Sequence, residues 1–370
     1  MTIPAFDLKR QTALIGPDVL ARIEAVMASS QFILGDTVKD FEAAVEDVIG
    51  ATAIGVANGS DALYLALMAL GIGPGDEVLT TPFTFFATAG SILRTGAKPV
   101  FTDIQLDTFN MDPALASTAV TPRTRAMLPV HLFGLMADLP ALQQGFDGPI
   151  VEDAAQAVGA SFQGLKAGSV GALGCFSFFP TKNLGAYGDA GLVSTRHSDL
   201  ADRVRRLRVH GSRTKYVHDL LGINSRLDAM QAAVLLAKLP YLSRWTERRQ
   251  AIALRYSHLI RDLGIDEVVP PTVPEGAVHV FHQYTIRAEN RDGLMAHLKE
   301  QGIGSTVYYP LPLHLQPVLA ELGYRAGDFP ESERASRTVL SLPMFPELTD
   351  DEVDRVVSSI AAFYGHSTGA

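Results

Sequence analysis

Lys182 is the first residue whose type and position could do chemistry. It follows the apolar run 174–179 and lies among aromatic residues and glycines. Most lysines are solvated, and a lone lysine is normally interpreted that way. At the end of a buried strand, however, desolvation lowers the pKa of the amine, so that a neutral amine is available for Schiff-base chemistry. This motif makes Lys182 a candidate nucleophile.

Asp153 follows a second apolar run, at 149–152, and so lies at the carboxyl end of a predicted strand. Open α/β sheets bind their ligands at this end. Two other interpretations stay open: Asp153 could cap the next helix, or Glu152 could be the functional acid. Successive side chains of a strand point to opposite faces, so only one of the two carboxylates can face the site.

A candidate phosphate site lies at 57–61, where a predicted strand gives way to a helix. The free backbone N–H groups and the positive end of that helix favour an anion. Gly59 permits close approach, and the hydroxyls of Ser60 and Ser177 can donate to phosphate oxygens. The alternative is ordinary helix capping by Ser60 or Asp61.

The glycines at 71–75 suggest a different cofactor at first sight, because Gly-rich turns bind dinucleotides. A dinucleotide turn needs a strand before the glycines and a helix after them. Here a predicted helix precedes the glycines and a predicted strand follows. The stretch therefore predicts a tight helix-to-strand turn and no nicotinamide site.

A cation-rich stretch, 203–218, holds six Lys and Arg residues and no acid. A solvated helix face explains Arg203 to Arg208. Arg213 and Lys215 lie instead in a loop with glycine, serine and tyrosine, which suits the binding of a diphosphate. A nucleic-acid patch is opposed by the net charge of −9 and by the lack of a recognised binding motif.

The elements that must position these residues alternate between strand and helix. Helices are predicted at 61–70, 88–93 and 137–144, and strands at 53–57, 77–81, 99–103, 126–131, 149–152, 174–179 and 190–195. This alternation implies crossover connections and a mostly parallel sheet with helices on both faces. We predict a large α/β domain over 1–245.

A smaller α+β domain is predicted over 246–370. Capping boxes at 225–228 and 349–352 predict the starts of two helices, the first running to about 263 with an interruption at Pro240. Between them, the pattern predicts strands at 279–287 and 303–308 and a helix at 294–301.

Composition narrows the class of protein. The 370 residues are 47% hydrophobic and 19% charged, as in an ordinary soluble globular protein. The single cysteine, Cys175, can form neither an intrachain disulfide nor a cysteine-based zinc site, and no H-E-x-x-H spacing occurs, so we expect no metal. We find no signal peptide and no apolar run near the ~20 residues of a membrane span. The sequence predicts a cytoplasmic protein without membrane or nucleic-acid partners.

Together, the motifs form the set that pyridoxal 5′-phosphate (PLP) requires. The lysine forms an imine, a strand-end aspartate keeps the ring nitrogen protonated, an aromatic ring stacks on the cofactor, and a cup at a helix N-terminus holds the phosphate. Phe85, in the stretch 84–88, is the candidate aromatic residue. Each motif alone is ambiguous, but their order along the chain is hard to explain by accident.

The sequence closely resembles the DegT/DnrJ/EryC1/StrS family of sugar aminotransferases over nearly its whole length. The motifs that carry the resemblance lie at 58–62, 82–88, 129–134, 151–156, 176–185, 222–228, 231–233 and 309–314. The resemblance implies the aspartate aminotransferase fold (fold type I), with a seven-stranded, mostly parallel sheet. It also implies PLP as the cofactor and a homodimer whose two active sites lie at the interface.

The resemblance assigns roles by position. Lys182 is the expected Schiff-base lysine, and Asp153 the partner of the pyridine nitrogen. The other expected cofactor contacts are Gly59, Ser60, Phe85, Gln156, Ser177 and, from the second subunit, Asn224. The expected substrate contacts are Arg213, Lys215, Tyr216, His218, Tyr309 and His314. We interpret His131 as a structural residue, because a histidine at a strand end is usually hydrogen-bonded to its surroundings.

The implied reaction transfers an amino group from an amino acid, expected to be L-glutamate, to a nucleotide-linked keto-sugar. We expect a dTDP- or UDP-linked 3-keto hexose, and an amino-sugar product for polysaccharide or secondary-metabolite biosynthesis. Two alternatives share the fold: a dehydratase-like relative and a non-catalytic regulator. Dehydratase relatives replace the lysine with histidine, so Lys182 argues against the first. The intact set of Lys182, Asp153 and Gln156 argues against the second.

Overall fold

The computed structural model describes residues 2–366, and their secondary structure alternates between helix and strand. The helices are α1 (Leu8–Ser29), α2 (Asp36–Ile49), α3 (Gly59–Ala69), α4 (Phe86–Arg94), α5 (Pro113–Ala119), α6 (Leu139–Gln144), α7 (Ser198–Leu207), α8 (Ala229–Lys238), α9 (Leu242–Asp262), α10 (Arg291–Glu300), α11 (Pro330–Thr338) and α12 (Asp350–Tyr364). The strands are β1 (Thr52–Val56), β2 (Glu77–Thr80), β3 (Lys98–Phe101), β4 (Thr124–Met127), β5 (Val151–Asp153), β6 (Ser161–Phe162), β7 (Leu165–Lys166), β8 (Leu173–Ser177), β9 (Gly191–Thr195), β10 (Ser212–Thr214), β11 (Val217–His218), β12 (Val268–Val269), β13 (Ala277–Val278), β14 (Tyr284–Ala288) and β15 (Val339–Leu342). Within this range, no helix combines the length and the apolar character needed to cross a membrane.

A seven-stranded sheet in the order β1-β9-β8-β5-β4-β2-β3 carries the site. Its two halves are joined by parallel bridges between Met127 and Ile150 and between Val130 and Asp153. β9 runs antiparallel to both of its neighbours, and the other strands run parallel to one another. The predicted fold class, α/β with a mostly parallel seven-stranded sheet, is therefore confirmed.

Both faces of this sheet are covered, which explains why its strands are nearly continuous apolar runs. Neighbouring residues of β8 belong to different cores: Phe176 packs with the cluster that includes Phe41 and Leu227, while Cys175 packs with the cluster under α3 and α7. Helices thus cover both faces of the sheet, and a ligand can bind at the carboxyl ends of the strands.

A second, three-stranded antiparallel sheet, β12-β14-β15, packs against α10 and α11 and shares a core with α9 and α12. Its core includes Tyr256, Ile286, Leu294 and Val356. Ile3, from the N-terminal segment, also lies in this core. The domain boundary between residues 245 and 246 stays a prediction, because α9 runs through that point without a break.

Several local predictions were correct. The glycines at 71–75 form the expected turn between α3 and β2, with Gly71 and Gly75 at positive φ. The interruption at Pro240 is a short 3₁₀ turn, Leu239–Tyr241, between α8 and α9. The capping box at Thr349 is present and opens α12.

Three local predictions were wrong. Ser225 does not begin a helix; its hydroxyl accepts from the N–H of Ala57 at 3.1 Å, and α8 begins after Asp228. The stretch 303–308 is not a strand, because it pairs only through single bridges at Ile303 and Thr306. The strand predicted at 279–287 begins only at Tyr284.

Candidate active site

The carboxyl ends of β1, β5 and β8 lie at the same edge of the sheet, since these three strands run parallel to one another. The first turn of α3 follows β1, Asp153 ends β5 and Ser177 ends β8. Lys182 lies in the loop between β8 and β9. Residues up to about 120 positions apart in the sequence therefore lie at the same edge of the sheet, as the sequence predicts.

The start of α3 is built to approach Ser177 closely. A Cβ atom on Gly59 would lie 2.6 Å from Cβ of Ser177, so only glycine fits without a shift. Asn58 is the N-cap, and its Oδ1 accepts from the N–H of Asp61 at 2.8 Å. Capping by Ser60 or Asp61, the alternative interpretation, is thereby corrected: the Asp61 carboxylate pairs with Arg94 instead. Helix geometry leaves the N–H groups of the first turn without intrahelical partners, which suits a phosphate.

Asp153 is buried, with only 5% of its surface exposed. Its Oδ2 accepts from the Thr88 hydroxyl at 2.8 Å, and its Oδ1 accepts from the N–H of Ala155 at 3.3 Å. Burial raises the pKa of the Asp153 carboxyl above its ordinary value, while the Thr88 hydrogen bond and the Lys182 cation act in the opposite sense. A buried carboxylate of this kind gains from a cationic partner such as a protonated ring nitrogen.

Glu152 faces the other side of β5, as strand alternation requires. Its carboxylate is fully buried and accepts from His131 and from the N–H groups of Gly168, Val170 and Gly171, at 2.6–2.9 Å. These four hydrogen bonds give Glu152 a structural role and remove it as the alternative acid. His131 is satisfied as well: Nδ1 accepts from the N–H of Ala137, so Nε2 carries the proton and donates to Glu152.

The Lys182 amine lies near Asp153, and burial lowers its pKa to about 8, with the Asp153 carboxylate partly opposing the shift. A lowering of this size increases the neutral fraction of the amine near neutral pH by about two orders of magnitude. The backbone around Lys182 is a tight turn, in which its N–H donates to the carbonyl of Phe179 at 2.8 Å. The neutral amine that the sequence suggested is thus favoured by the surroundings.

The rings of Phe85 and Tyr309 form an aromatic wall near Asp153. The ring of Phe85 is 59% exposed, and its centroid lies 6.2 Å from that of Tyr309. Gln156 links to the same wall, since its Nε2 donates to the Tyr309 hydroxyl at 3.4 Å and its Oε1 accepts from the N–H of Phe133 at 2.6 Å. Phe85, Gln156 and Tyr309 are therefore brought together, as expected for a ring-binding cleft.

The predicted substrate residues at 213–218 form an exposed hairpin, β10–β11. Arg213 pairs with Asp202 at 2.9 Å, the Lys215 amine lies 5.1 Å from the ring centre of Tyr216, and the His218 Nδ1–H donates to the carbonyl of His210. No described contact joins these side chains, or the exposed Asn224, to Lys182 of the same chain. Their roles stay predictions that require a second subunit.

His314 and Arg208 are both more buried than the sequence suggested. His314 is almost fully buried; its Nε2 lies 3.2 Å from Glu333, and its ring packs on Phe329. Its role at the substrate stays a prediction. Arg208 is not part of a solvated helix face, because it is buried and donates to Glu42 at 2.6 Å and to the carbonyl of Gly55 at 2.7 Å.

Sequence reasoning missed the residues that hold the lysine loop in place. Asn183 donates to the carbonyl of Val280 at 2.8 Å and pairs with His282 at 3.2 Å. On the other side, the buried amine of Lys238 donates to the carbonyl of Gly185 at 2.7 Å. These contacts span from about 50 to 100 positions, so no local pattern could have indicated them.

The residues present fit PLP. A side chain at position 59 would collide with Ser177, so glycine lets the first turn of α3 lie against the end of β8, where Ser60 and Ser177 could both donate to a phosphate. The buried carboxylate of Asp153 lacks a cationic hydrogen-bond donor among its described partners, and a protonated pyridine nitrogen supplies one. Lys182 would hold the group covalently, and Phe85 would cover one face of the ring.

The chain is similar over nearly its whole length to proteins of one family. The profile of the DegT/DnrJ/EryC1/StrS aminotransferase family matches residues 14–361. A pleiotropic regulatory protein of Geobacillus stearothermophilus is 54% identical and covers 99% of this chain and 100% of its own. The UDP-N-acetyl-3-dehydro-alpha-D-glucosamine 3-aminotransferase of Acidithiobacillus ferrooxidans is 45% identical and covers 97% of both chains.

Two Streptomyces venezuelae comparisons extend the likeness. The dTDP-3-amino-3,4,6-trideoxy-alpha-D-glucose transaminase is 42% identical over 97% of this chain and 95% of its own. The X-ray crystal structure of DesV is similar with a TM-score of 0.96 and 41% identity, covering 99% of each chain. Solved structures of similar fold include forms with PLP and with its amino form, PMP.

Fold and site together define a PLP-dependent aminotransferase of fold type I. More narrowly, the chain belongs to the DegT/DnrJ/EryC1/StrS aminotransferase family, the sugar aminotransferases that its sequence resembles.

Proposed function

We propose that this enzyme transfers an amino group from L-glutamate to carbon 3 of a nucleotide-linked 3-keto hexose, with dTDP or UDP as the nucleotide. The observation that carries the proposal is Lys182, whose place beside Asp153 at the strand edge comes with a pKa of about 8, so that roughly a tenth of its amine is neutral near pH 7. The choice of carbon 3 is supported by the names of two relatives, which specify 3-amino or 3-dehydro sugars on UDP or dTDP.

Bound PLP supplies an electron sink that stabilises negative charge at the substrate carbon. The chain's own residues bind the cofactor and move the proton. Lys182 holds the cofactor and, once displaced by the donor, takes a proton from the donor's α-carbon with its neutral amine. Asp153 keeps the pyridine nitrogen protonated, and Phe85 and Gln156 fix the ring. Gly59, Ser60 and Ser177 hold the phosphate.

The proposal includes a homodimer in which the second subunit completes each site. The hairpin residues Arg213, Lys215, Tyr216 and His218 would reach the neighbouring sugar diphosphate, and Asn224 the neighbouring phosphate. This is supported by their exposure, which reaches 83% for Tyr216. It is supported too by the large apolar side chains left exposed, among them Leu14, Leu20, Phe32, Ile33, Phe179 and Leu221. Tyr309 and His314 are proposed to contact the sugar, and the cytoplasm is the proposed location.

A regulatory function is the second candidate, because one relative at 54% identity carries a regulatory name. Incubation of the purified protein with L-glutamate separates the two. An aminotransferase converts its bound PLP to PMP, with a change in absorbance, whereas a purely regulatory relative leaves the cofactor unchanged.

The direct test is a panel of dTDP- and UDP-linked 3-keto and 4-keto hexoses with L-glutamate, followed by mass spectrometry. We expect the amino-sugar from a 3-keto substrate and no product with the Lys182→Ala variant. Failure of every sugar, together with turnover of a free keto acid, would contradict the substrate class.

A further inference from the structure

A chain of hydroxyl groups leads to the carboxylate that would face the cofactor ring. Thr88, which is fully buried, lies 2.8 Å from Oδ2 of Asp153. Behind it, the Thr84 hydroxyl lies 3.1 Å from the Thr88 hydroxyl and is buried as well. Neither threonine has a role in the function proposed above.

The direction of this chain follows from the charge on Asp153. An ionised carboxylate only accepts hydrogen bonds, so the single hydroxyl proton of Thr88 goes to Oδ2. The Thr88 oxygen then accepts from Thr84. Each donor polarises the next, which strengthens the final hydrogen bond to the carboxylate. The arrangement therefore stabilises the ionised form of Asp153 against the cost of its burial.

The position of Thr88 also relates it to the aromatic wall, because Thr88 and Phe85 belong to the same helix turn. Thr88 lies in the first turn of α4, whose N-cap is Phe85, and its N–H donates to the carbonyl of Phe85. One helix turn thus positions both the aromatic ring for the face of the cofactor and the donor for the aspartate at its edge. Oδ1 of Asp153 has only the 3.3 Å contact from Ala155 and remains free to accept from a ring nitrogen.

We propose that Thr88, supported by Thr84, is a positioning residue that keeps Asp153 ionised and oriented, so that the pyridine nitrogen of PLP stays protonated. The inference rests on PLP binding at this site and on no property of the sugar or the amino donor. It assigns the 84–88 segment a second task besides presenting Phe85.

The test measures cofactor binding and nitrogen protonation without any substrate. Thr88→Val removes the hydroxyl but keeps the shape, and Thr88→Ser keeps the hydroxyl. We expect about tenfold weaker PLP binding for Thr88→Val, as for loss of a hydrogen bond to a charged group, and a change of about twofold or less for Thr88→Ser. With ¹⁵N-labelled PLP, the nitrogen resonance should move toward the unprotonated position in Thr88→Val but not in Thr88→Ser.

Thr84→Val provides a second variant, because it leaves Thr88 in place and removes only the supporting donor. We expect it to weaken PLP binding about threefold and to shift the nitrogen resonance in the same direction by less. An unchanged nitrogen resonance in folded Thr88→Val and Thr84→Val would overturn the proposal. Equal losses in Thr88→Val and Thr88→Ser would overturn it too, since they would indicate packing. Because no sugar is involved, neither result depends on whether the proposed transamination is correct.

Discussion

Residues at this site have pKa values and packing that depend on the side chains around them. Lys182 is the clearest case, since burial lowers its pKa to about 8. Only the neutral amine attacks an aldehyde. We therefore predict that the rate at which the apoenzyme captures PLP rises with pH, is half-maximal near pH 8 and levels off above that. Stopped-flow absorbance against pH measures it; a rate that still rises steeply between pH 9 and 10 would contradict the lowered pKa.

Gly59 gives a steric prediction at the same scale. In Gly59→Ala the new Cβ would lie 2.6 Å from Cβ of Ser177, so the end of β8 or the start of α3 must move. We expect PLP to bind at least about tenfold more weakly, because the phosphate cup is displaced. Gly16→Ala in α1 is the matched control, since a Cβ there meets nothing closer than 4.0 Å. Equal PLP affinity in the two variants would refute this account of Gly59.

At the scale of elements, a partly buried ion pair joins α1 and α12. The two terminal guanidinium nitrogens of Arg10 donate to Glu352, at 2.6 and 2.8 Å, and Glu352 also accepts from the N–H of Thr349 in the capping box. These hydrogen bonds, with Arg10 first, lower the pKa of the Glu352 carboxyl to about 2. The contact thus links α1 to α12, which belongs to the core of the second sheet.

A carboxyl with a lowered pKa stabilises the fold above the pKa it has in the unfolded chain. This stabilisation is lost as the pH falls through the folded value. We predict that Glu352→Gln lowers the free energy of unfolding by about 1–2 kcal/mol near neutral pH. The difference from wild type should shrink between about pH 4.5 and pH 2. Urea unfolding at several pH values measures it, with the exposed Glu24→Gln as control; a difference that is independent of pH would contradict the ion pair's role.

The elements that sequence could predict are those whose pattern is local. The strand at 174–179 is a run of apolar residues because both of its faces are buried, and its end places Ser177 and Lys182 at the site edge. The sequence also predicts a strand at 303–308, but this stretch pairs with its neighbours only through single bridges. The contact of Thr88 with Asp153 spans 65 positions and depends on one hydroxyl, which leaves no periodic signal in the sequence.

At the scale of the whole molecule, the proposal requires each site to draw residues from two chains. Lys182→Ala and Asn224→Ala each disable one contribution to a site. In a mixed dimer, one site carries both substitutions and the other carries neither. Mixing the two inactive variants after mild dissociation should therefore restore about a quarter of the wild-type activity. Activity assays before and after mixing test this, and no recovery despite proven subunit exchange would argue for sites within single chains.

The central claim is a covalent bond between the ε-nitrogen of Lys182 and vitamin B6 aldehyde. Borohydride reduction of the PLP-loaded protein, followed by proteolysis and mass spectrometry, measures it directly. We predict a single reduced pyridoxyl group on the peptide that contains Lys182, and none in Lys182→Ala. An adduct on Lys238, a buried lysine near this loop, or no adduct at all, would contradict the account.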